Sequence, residues 1–108
     1  AAGAPKESTT ITSGPFVLNS KSRTLTKNGR LIDLTQVEYQ IVELLLKNKG
    51  AALDRNKILT EIWGENYYSD VKIVDVNIRR LRIKVEDEPS APVYIQTVWG
   101  YGYKWGEQ

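Results

Sequence analysis

The sequence predicts an α+β domain in which an antiparallel sheet comes first, three helices follow and a β-hairpin closes the chain. Two observations carry this prediction. Short β-branched and aromatic runs bounded by turn residues occupy both ends of the chain, and between them apolar residues recur with the 3.6-residue period of a helix. A chain of 108 residues is the size of one domain and can bury a core without disulfides or metals.

Short strands are expected over residues 10–34. Apolar or β-branched runs occur at 16–18, 24–26 and 31–32. Between the last two stands Asn28-Gly29, which favours a two-residue type I′ hairpin because that turn needs positive φ at both central positions. The sequence therefore predicts antiparallel pairing in this part of the chain.

Residues 1–9 are small and polar, and we expect them to be a disordered linker or a remnant of cloning. The folded domain would then span residues 10–106. Because no methionine occurs in the chain, at position 1 or elsewhere, we expect it to be a fragment of a longer protein.

The first helix is predicted from a capping box. Thr35 and Glu38 have the spacing at which each side chain accepts a hydrogen bond from the other's backbone. The helix should end near Lys49, with Gly50 as its stop. Apolar residues lie on both of its faces, which places it in the middle of the domain: Val37, Ile41, Leu44 and Leu45 on one, Tyr39, Val42 and Leu46 on the other.

A second helix is predicted over residues 55–63, capped by Asp54 and ended by Gly64. A third should begin near residue 70 or 71 and end before Pro89. At about 100° per residue, its core stripe consists of Val74, Ile78, Leu81 and Val85. The opposite face consists of Lys72, Val76, Arg79, Arg80 and Ile83, with Asp75 and Arg82 on its flank.

Residues 94–105 are predicted to form the closing hairpin, because two aromatic and β-branched runs flank a Gly-Tyr-Gly turn at 100–102. The hairpin contains four aromatic residues: Trp99, Tyr101, Tyr103 and Trp105. We expect their side chains to pack in the core or against the sheet. For Trp99, contact with a sugar is the alternative. Helices two and three would form a helix-turn-helix-like pair with the hairpin beside them as a wing.

Positive charge is concentrated in the third helix. Residues 72–84 contain five cationic residues against Asp75 alone, a net charge of +4, whereas the whole chain carries +2. Such a concentration is the usual electrostatic footprint of a nucleic-acid contact, and an α-helix fits the major groove of B-DNA. The alternative is a solvated amphipathic helix. A solvated face would more often pair opposite charges four residues apart, and here only Asp75 and Arg79 have that relation.

Composition excludes several kinds of active site. The chain has no cysteine and no histidine, which removes disulfides, thiolate nucleophiles, the commonest metal ligands and the commonest general base. The acidic cluster at residues 86–88 lacks a histidine partner and is expected to be a solvated helix terminus. No Gly-rich phosphate loop occurs. We therefore expect no enzyme, no cofactor and no metal, and the short apolar runs predict no membrane span.

Four blocks of the sequence resemble the winged-helix effector domain of OmpR/PhoB-type response regulators. They are residues 34–39 (LTQVEY), 62–64 (IWG), 70–82 (DVKIVDVNIRRLR) and 95–103 (IQTVWGYGY). The resemblance implies a winged helix-turn-helix with a four-stranded antiparallel N-terminal sheet, three helices and a C-terminal hairpin wing. It implies sequence-specific binding of duplex DNA, with helix 71–86 reading the major groove.

The resemblance also implies roles for individual residues. Base contacts would come from Val76, Arg80 and Arg82, and Asp75 would either contact a base or orient an arginine. Phosphate contacts would come from Trp63, Lys72, Asn77, Arg79, Thr97 and Tyr103. The wing would consist of Trp99, Gly100, Tyr101, Gly102 and Lys104, with the tryptophan where many relatives have an arginine. The loop that touches RNA polymerase would be Glu65, Asn66, Tyr67, Tyr68 and Ser69.

The partners that the resemblance implies are promoter DNA with direct repeats, RNA polymerase, and an N-terminal receiver domain that answers to a sensor kinase in the bacterial cytoplasm. The domain would be a monomer alone and a dimer on DNA. A competing interpretation is a winged-helix protein-interaction module that keeps the fold and does not bind DNA. That interpretation would make the basic side of the third helix dispensable.

Overall fold

Two sheets and three helices form the part of the chain that the computed structural model describes, residues 10–64 and 70–106. In chain order the elements are β1 (Thr10–Ser13), β2 (Phe16–Asn19), β3 (Thr24–Lys27), β4 (Arg30–Ile32), α1 (Gln36–Lys47), β5 (Leu53–Asp54), α2 (Arg55–Trp63), α3 (Lys72–Val85), β6 (Ile95–Val98) and β7 (Gly102–Trp105). The predicted order of strands, three helices and a hairpin is confirmed. Within the described ranges, no helix is long and apolar enough to cross a membrane.

The first four strands form an antiparallel sheet in the order β1-β2-β3-β4. Asn28 and Gly29 join β3 to β4 with φ of 53° and 80°, the positive values that the type I′ turn requires. Leu18 and Leu25 pair across β2 and β3 and are fully buried, whereas Leu31 is exposed on the other face. The sheet therefore packs one face on the helices and presents the other to solvent.

The predicted capping box opens α1. The Glu38 N–H donates to Thr35 Oγ1 at 3.1 Å, and the Thr35 N–H donates to Glu38 Oε1 at 2.9 Å. The helix ends at Lys47, two residues before the predicted end. Residues on both faces are buried, which confirms its central position: Glu38, Tyr39, Ile41, Val42, Leu45 and Leu46.

Glu38 also connects α1 to α3. Its side chain is 3% exposed, and Lys84 Nζ donates to Glu38 Oε1 at 2.5 Å. Burial raises the pKa of Glu38, but the hydrogen bonds from Lys84 and Thr35 together outweigh it, so this pKa lies below its ordinary value. The pair therefore stabilises the domain at a pH above the pKa of the unfolded-state carboxyl. That contribution is lost as the pH falls through the lower folded-state pKa.

We expect Lys84→Met to lower the free energy of unfolding by about 1–3 kcal/mol at pH 7, because a buried carboxylate loses its charged partner. The matched control is Lys57→Met, which breaks an exposed pair with Glu61 at 3.9 Å and should cost about 0–1 kcal/mol. Urea denaturation measures both. The deficit of Lys84→Met should shrink as the pH falls through the pKa of Glu38; a deficit equal to that of the control at every pH would contradict this role.

The second helix begins at the predicted side-chain cap, whereas the N-cap residue of the third, Val71, makes no side-chain cap hydrogen bond. The Asp54 carboxylate accepts from the Asn56 N–H at 2.6 Å, and α2 ends at Trp63 before Gly64, as predicted. At α3 the Asp70 carboxylate accepts from the Lys72 N–H at 3.0 Å. The predicted core stripe is confirmed, since all four of its residues are fully buried: Val74, Ile78, Leu81 and Val85.

A two-residue strand, β5, is absent from the sequence prediction. Leu53 and Asp54 pair with Tyr103 and Gly102 of β7, giving a second sheet in the order β5-β7-β6. A run of two residues is too short to show the alternation of a β-strand, so the local sequence does not predict this strand. It joins the wing to the residue that caps α2.

The expectation of a solvated terminus at residues 86–88 is wrong for Glu86. This residue is 6% exposed, and its carboxylate accepts hydrogen bonds of 2.7–3.2 Å from the N–H groups of Val93, Tyr94 and Ile95. The charge compensates backbone donors that start β6. Glu86 thus ties the end of α3 to the beginning of the wing.

Candidate nucleic-acid interface

The outward side of α3 is an exposed surface that mixes positive charge with apolar side chains. Val76 is 47% and Ile83 65% exposed, and the three cations on that side are exposed as well: Lys72, Arg79 and Arg80. Across residues 10–64 and 70–106, none of the ion pairs involves these cations. We call these five residues the basic face; it is the face that the sequence predicts.

Asp75 lies beside the basic face, and its carboxylate is held within the domain. Oδ2 accepts from Arg55 Nη1 and Oδ1 accepts from the Tyr103 hydroxyl, both at 2.6 Å. The pair with Arg79 that the spacing suggests does not form among the described residues, since Arg55 of α2 occupies the carboxylate instead. Asp75 thus connects three elements.

Arg82 lies on the same flank and is also engaged. Its Nε and Nη2 donate to the carbonyl oxygen of Ile95 at 3.0 and 2.8 Å, and Nη2 donates to Thr97 Oγ1 at 2.9 Å. Its guanidinium carbon lies 5.5 Å from the centroid of the Tyr103 ring, within cation–π range. Burial lowers the pKa of Arg82, yet a guanidinium keeps its proton in proteins.

Tyr103 lies between these two charged residues. It is 8% exposed, with its hydroxyl on Asp75 and its ring beside Arg82. Burial, with the hydrogen bond to Asp75, raises the pKa of Tyr103 to about 12. The phenol is therefore protonated at neutral pH and can donate its hydrogen bond.

A cleft of about 670 Å³ opens between α3, the beginning of α2 and the wing. Its lining includes Arg55, Asp75, Arg82, Thr97 and Tyr103, together with residues of the wing tip. The cleft adjoins the basic face through Asp75 and Arg82. Polar and charged groups of both signs line it, so it is not an apolar small-molecule pocket of the usual kind.

The wing tip departs from the predicted packing. Trp105 is fully buried and Tyr103 nearly so, as expected. Tyr101 is 52% exposed, against the expected packing, and Trp99 is 90% exposed, which leaves a sugar contact as its remaining expected role. Both belong to the turn between β6 and β7, where Gly100 has a φ of 76°. In a strand, every second side chain faces the core. A turn lacks this alternation, so these two aromatic rings extend into solvent.

Several predicted contact residues lie away from the basic face. Asn77 Nδ2 donates to the carbonyl of Ile73 at 2.9 Å, a bond within its own helix. Trp63 is partly buried and packs on the core, and Lys104 is half-buried on β7. The predicted polymerase loop, residues 65–69, lies outside the described residues. The contact roles of all of these stay predictions.

Arg55 is the site residue that the sequence prediction omits. It is the first residue of α2 and makes the ion pair that holds Asp75. The sequence does mark the start of this helix, through Asp54, but the partner of Arg55 stands 20 residues further on. Spacing along one helix cannot reveal such a pair.

Known proteins resemble this chain in both sequence and fold. A family model described as "Transcriptional regulatory protein, C terminal" matches residues 29–105. The uncharacterized transcriptional regulatory protein YcbL of Bacillus subtilis is 44% identical over 81 residues, which are 75% of this chain and 36% of that protein. The chain thus spans little more than a third of that relative's length.

Solved structures of relatives share the fold, DrrB and RstA among them. Response regulator DrrB of Thermotoga maritima, described as an OmpR/PhoB homolog, superposes with a TM-score of 0.85 at 31% identity, over 91% of this chain and 44% of that one. The Klebsiella pneumoniae RstA DNA-binding domain, solved in complex with the RstA box, gives a TM-score of 0.83 at 29% identity, over 90% and 96% of the two chains. The predicted winged-helix architecture is confirmed.

Proposed function

Because this chain belongs to the family of C-terminal domains of OmpR/PhoB-type transcriptional regulators, we propose that it binds duplex DNA sequence-specifically through α3, as the effector domain of a two-component response regulator. The observation that carries the proposal is the basic face. Its three cations are exposed and enter none of the described ion pairs, and they share one side of one helix with Val76 and Ile83. Exposed cations suit the phosphates that flank a major groove, and an arginine beside apolar side chains suits the base edges within it.

Within the basic face, Arg80 and Val76 are the proposed base readers. An arginine fork donates two hydrogen bonds to O6 and N7 of guanine, and a valine side chain can press on a thymine methyl. Arg79 and Lys72 would neutralise phosphates on the two sides of the groove. Asp75 and Arg82, which the resemblance also places at bases, already bind groups inside the domain. For these two we propose positioning in place of base contact.

The wing tip is proposed to contact the DNA backbone beside the groove that α3 occupies. Trp99 and Tyr101 carry most of the exposed apolar surface there. An indole has no charge to place deep in a minor groove, so packing against a deoxyribose suits Trp99 better than the insertion an arginine makes. Phosphate contacts by Trp63, Asn77, Thr97 and Tyr103 stay predictions.

The wider partners are proposed from the relatives. DrrB is a response regulator more than twice as long as the part that matches this chain, which supports a receiver domain and a sensor kinase in the whole protein. RstA was solved on its DNA box, which supports promoter DNA as the ligand. Binding as a dimer to direct repeats, and contact of residues 65–69 with RNA polymerase, complete the proposal.

Lys72→Ala should weaken binding to every duplex by about the same factor, because a phosphate contact carries no sequence information. The slope of log affinity against log salt should become shallower by about 0.9. Fluorescence anisotropy at several salt concentrations measures this. The control is Lys21→Ala, an exposed lysine in the turn after β2, which should leave the slope unchanged. An unchanged slope in Lys72→Ala would contradict the phosphate contact.

Selection of bound duplexes from a random pool tests the proposed function. We expect enrichment of one short motif, and in longer duplexes two copies in the same orientation roughly one helical turn apart, about 10 base pairs. The matched sample is Arg80→Ala, which should enrich a motif degenerate at one position. No enrichment by the wild-type domain would favour the protein-interaction module instead.

A further inference from the structure

We infer that Arg55, Asp75, Arg82 and Tyr103 act as a clamp that fixes the wing against α3, and so presets the spacing between the two DNA segments that α3 and the wing tip contact. The inference rests on the proposed function and assigns Asp75 and Arg82 a positioning role. These four residues contact one another in a row, Arg55 to Asp75, Asp75 to Tyr103 and Tyr103 to Arg82, and Arg82 also contacts β6.

The clamp joins four elements through side chains. From α3, Asp75 reaches Arg55 of α2 and Tyr103 of β7, while Arg82 reaches the carbonyl of Ile95 and the hydroxyl of Thr97, both on β6. Both strands of the wing are therefore held by the same flank of one helix. Tyr103 closes the arrangement, since its hydroxyl and its ring contact the two α3 residues separately.

Other contacts hold mainly the base of the wing, where β6 begins and β7 ends. Ile95 and Trp105 are fully buried, Trp105 Nε1 donates to Ser13 Oγ at 3.0 Å, and the Trp105 carbonyl accepts from the Gly50 N–H. Nearer the tip, the Arg55 N–H donates to the carbonyl of Tyr101 at 3.4 Å.

Strands β6 and β7 are paired closely with each other, whereas close backbone approach between them and α3 is sparse. On its other side the wing pairs with the two residues of β5. Glu86 fixes the start of β6, at the end of the hairpin far from its tip. Long polar side chains therefore bridge the space between α3 and the wing.

The hydrogen bonds of the clamp are suited to a rigid connection between α3 and the wing. Both bonds to the Asp75 carboxylate are 2.6 Å and charge-assisted, a type roughly twice as strong as a neutral hydrogen bond. A wing that is already fixed loses little freedom when DNA binds, so its contacts contribute more of their energy to affinity. The same rigidity makes binding sensitive to the number of base pairs between the two contacted segments.

Tyr103→Phe tests the clamp, because it removes one hydroxyl and keeps the buried ring. Asp75→Asn is the second variant, and Tyr94→Phe is the control, a tyrosine whose ring packs on Phe16 and Trp105. The chain has no cysteine, so spin labels can be placed through Ile83→Cys on α3 and Tyr101→Cys at the wing tip, two exposed positions.

In the DNA-free protein we expect one narrow distance distribution between the labels, unchanged by Tyr94→Phe and widened by Tyr103→Phe and Asp75→Asn.

Unlabelled protein is then bound to its selected duplex and to one with a base pair inserted between the two contacted segments. The insertion should weaken wild-type binding roughly 5- to 150-fold, a range like that of one mismatched base pair, because it moves one contacted segment out of register with the other. In the two clamp variants it should weaken binding several-fold less.

Narrow distributions and an undiminished insertion penalty in both clamp variants would overturn the clamp, while the binding of wild-type protein to its duplex would leave the proposed function standing. Wild-type protein that binds no duplex would overturn the proposed function, and the preset of DNA spacing with it. The label distances separate these cases, because they are measured without DNA.

Discussion

Replacing Arg80 by alanine should remove about 1–3 kcal/mol of discrimination at a single base pair and leave the fold intact. Arg80 is exposed on the basic face and takes part in none of the ion pairs of the described residues, so its truncation breaks no salt bridge there. In the proposed role, the variant loses the two-pronged donor that distinguishes guanine from the other bases. The effect is therefore local in the DNA sequence.

The measurement is the affinity of wild type and Arg80→Ala for the selected duplex and for every single-base substitution of it. The wild-type penalty at one position should disappear in the variant, while penalties at the other positions stay. Arg30→Ala is the control, since Arg30 is an exposed arginine on β4 of the other sheet. A uniform loss on all duplexes would assign Arg80 to a phosphate and contradict base reading.

Gly102→Ala should be the most destabilising single methyl addition in the wing, by on the order of 3 kcal/mol. Gly102 is buried where β7 pairs with β5. A Cβ there would overlap the carbonyl oxygen of Leu53 and lie 2.9 Å from its carbonyl carbon and 3.1 Å from the backbone nitrogen of Arg55. These are backbone atoms, so β5 and the start of α2 would have to move away.

Gly100→Ala is the matched comparison two residues earlier. Gly100 has a φ of 76° but open space around the position of a Cβ. Only backbone strain would then oppose alanine, at about 1–2 kcal/mol. Urea denaturation of both variants gives the two free energies. Similar losses would show that the contact with β5 does not limit the residue at 102.

The features that the sequence predicts correctly are those decided by neighbouring residues. The capping box of α1, the turn at Asn28-Gly29 and the core stripe of α3 each depend on spacings of four residues or fewer, and each is confirmed. The basic face follows from the same periodicity, because burying one side of an amphipathic helix exposes the other.

What the sequence could not predict depends on tertiary contact. Asp75 and Arg82 have the residue types of base readers, yet their partners stand 13 to 28 residues away in other elements. Glu86 reads as one of three surface acids until three backbone N–H groups converge on it. Strand β5 exists only because β7 lies beside it. Local patterns carry no information on such pairings.

The central claim is that the basic face of α3 is a DNA-binding surface, and the salt dependence of duplex binding tests it most directly. With four to six phosphate contacts, the plot of log affinity against log salt should have a slope of roughly −4 to −5. A slope in that range, shallower in Lys72→Ala and unchanged in Lys21→Ala, is the predicted result. No binding of duplex DNA at low salt would contradict the claim and favour the protein-interaction module instead.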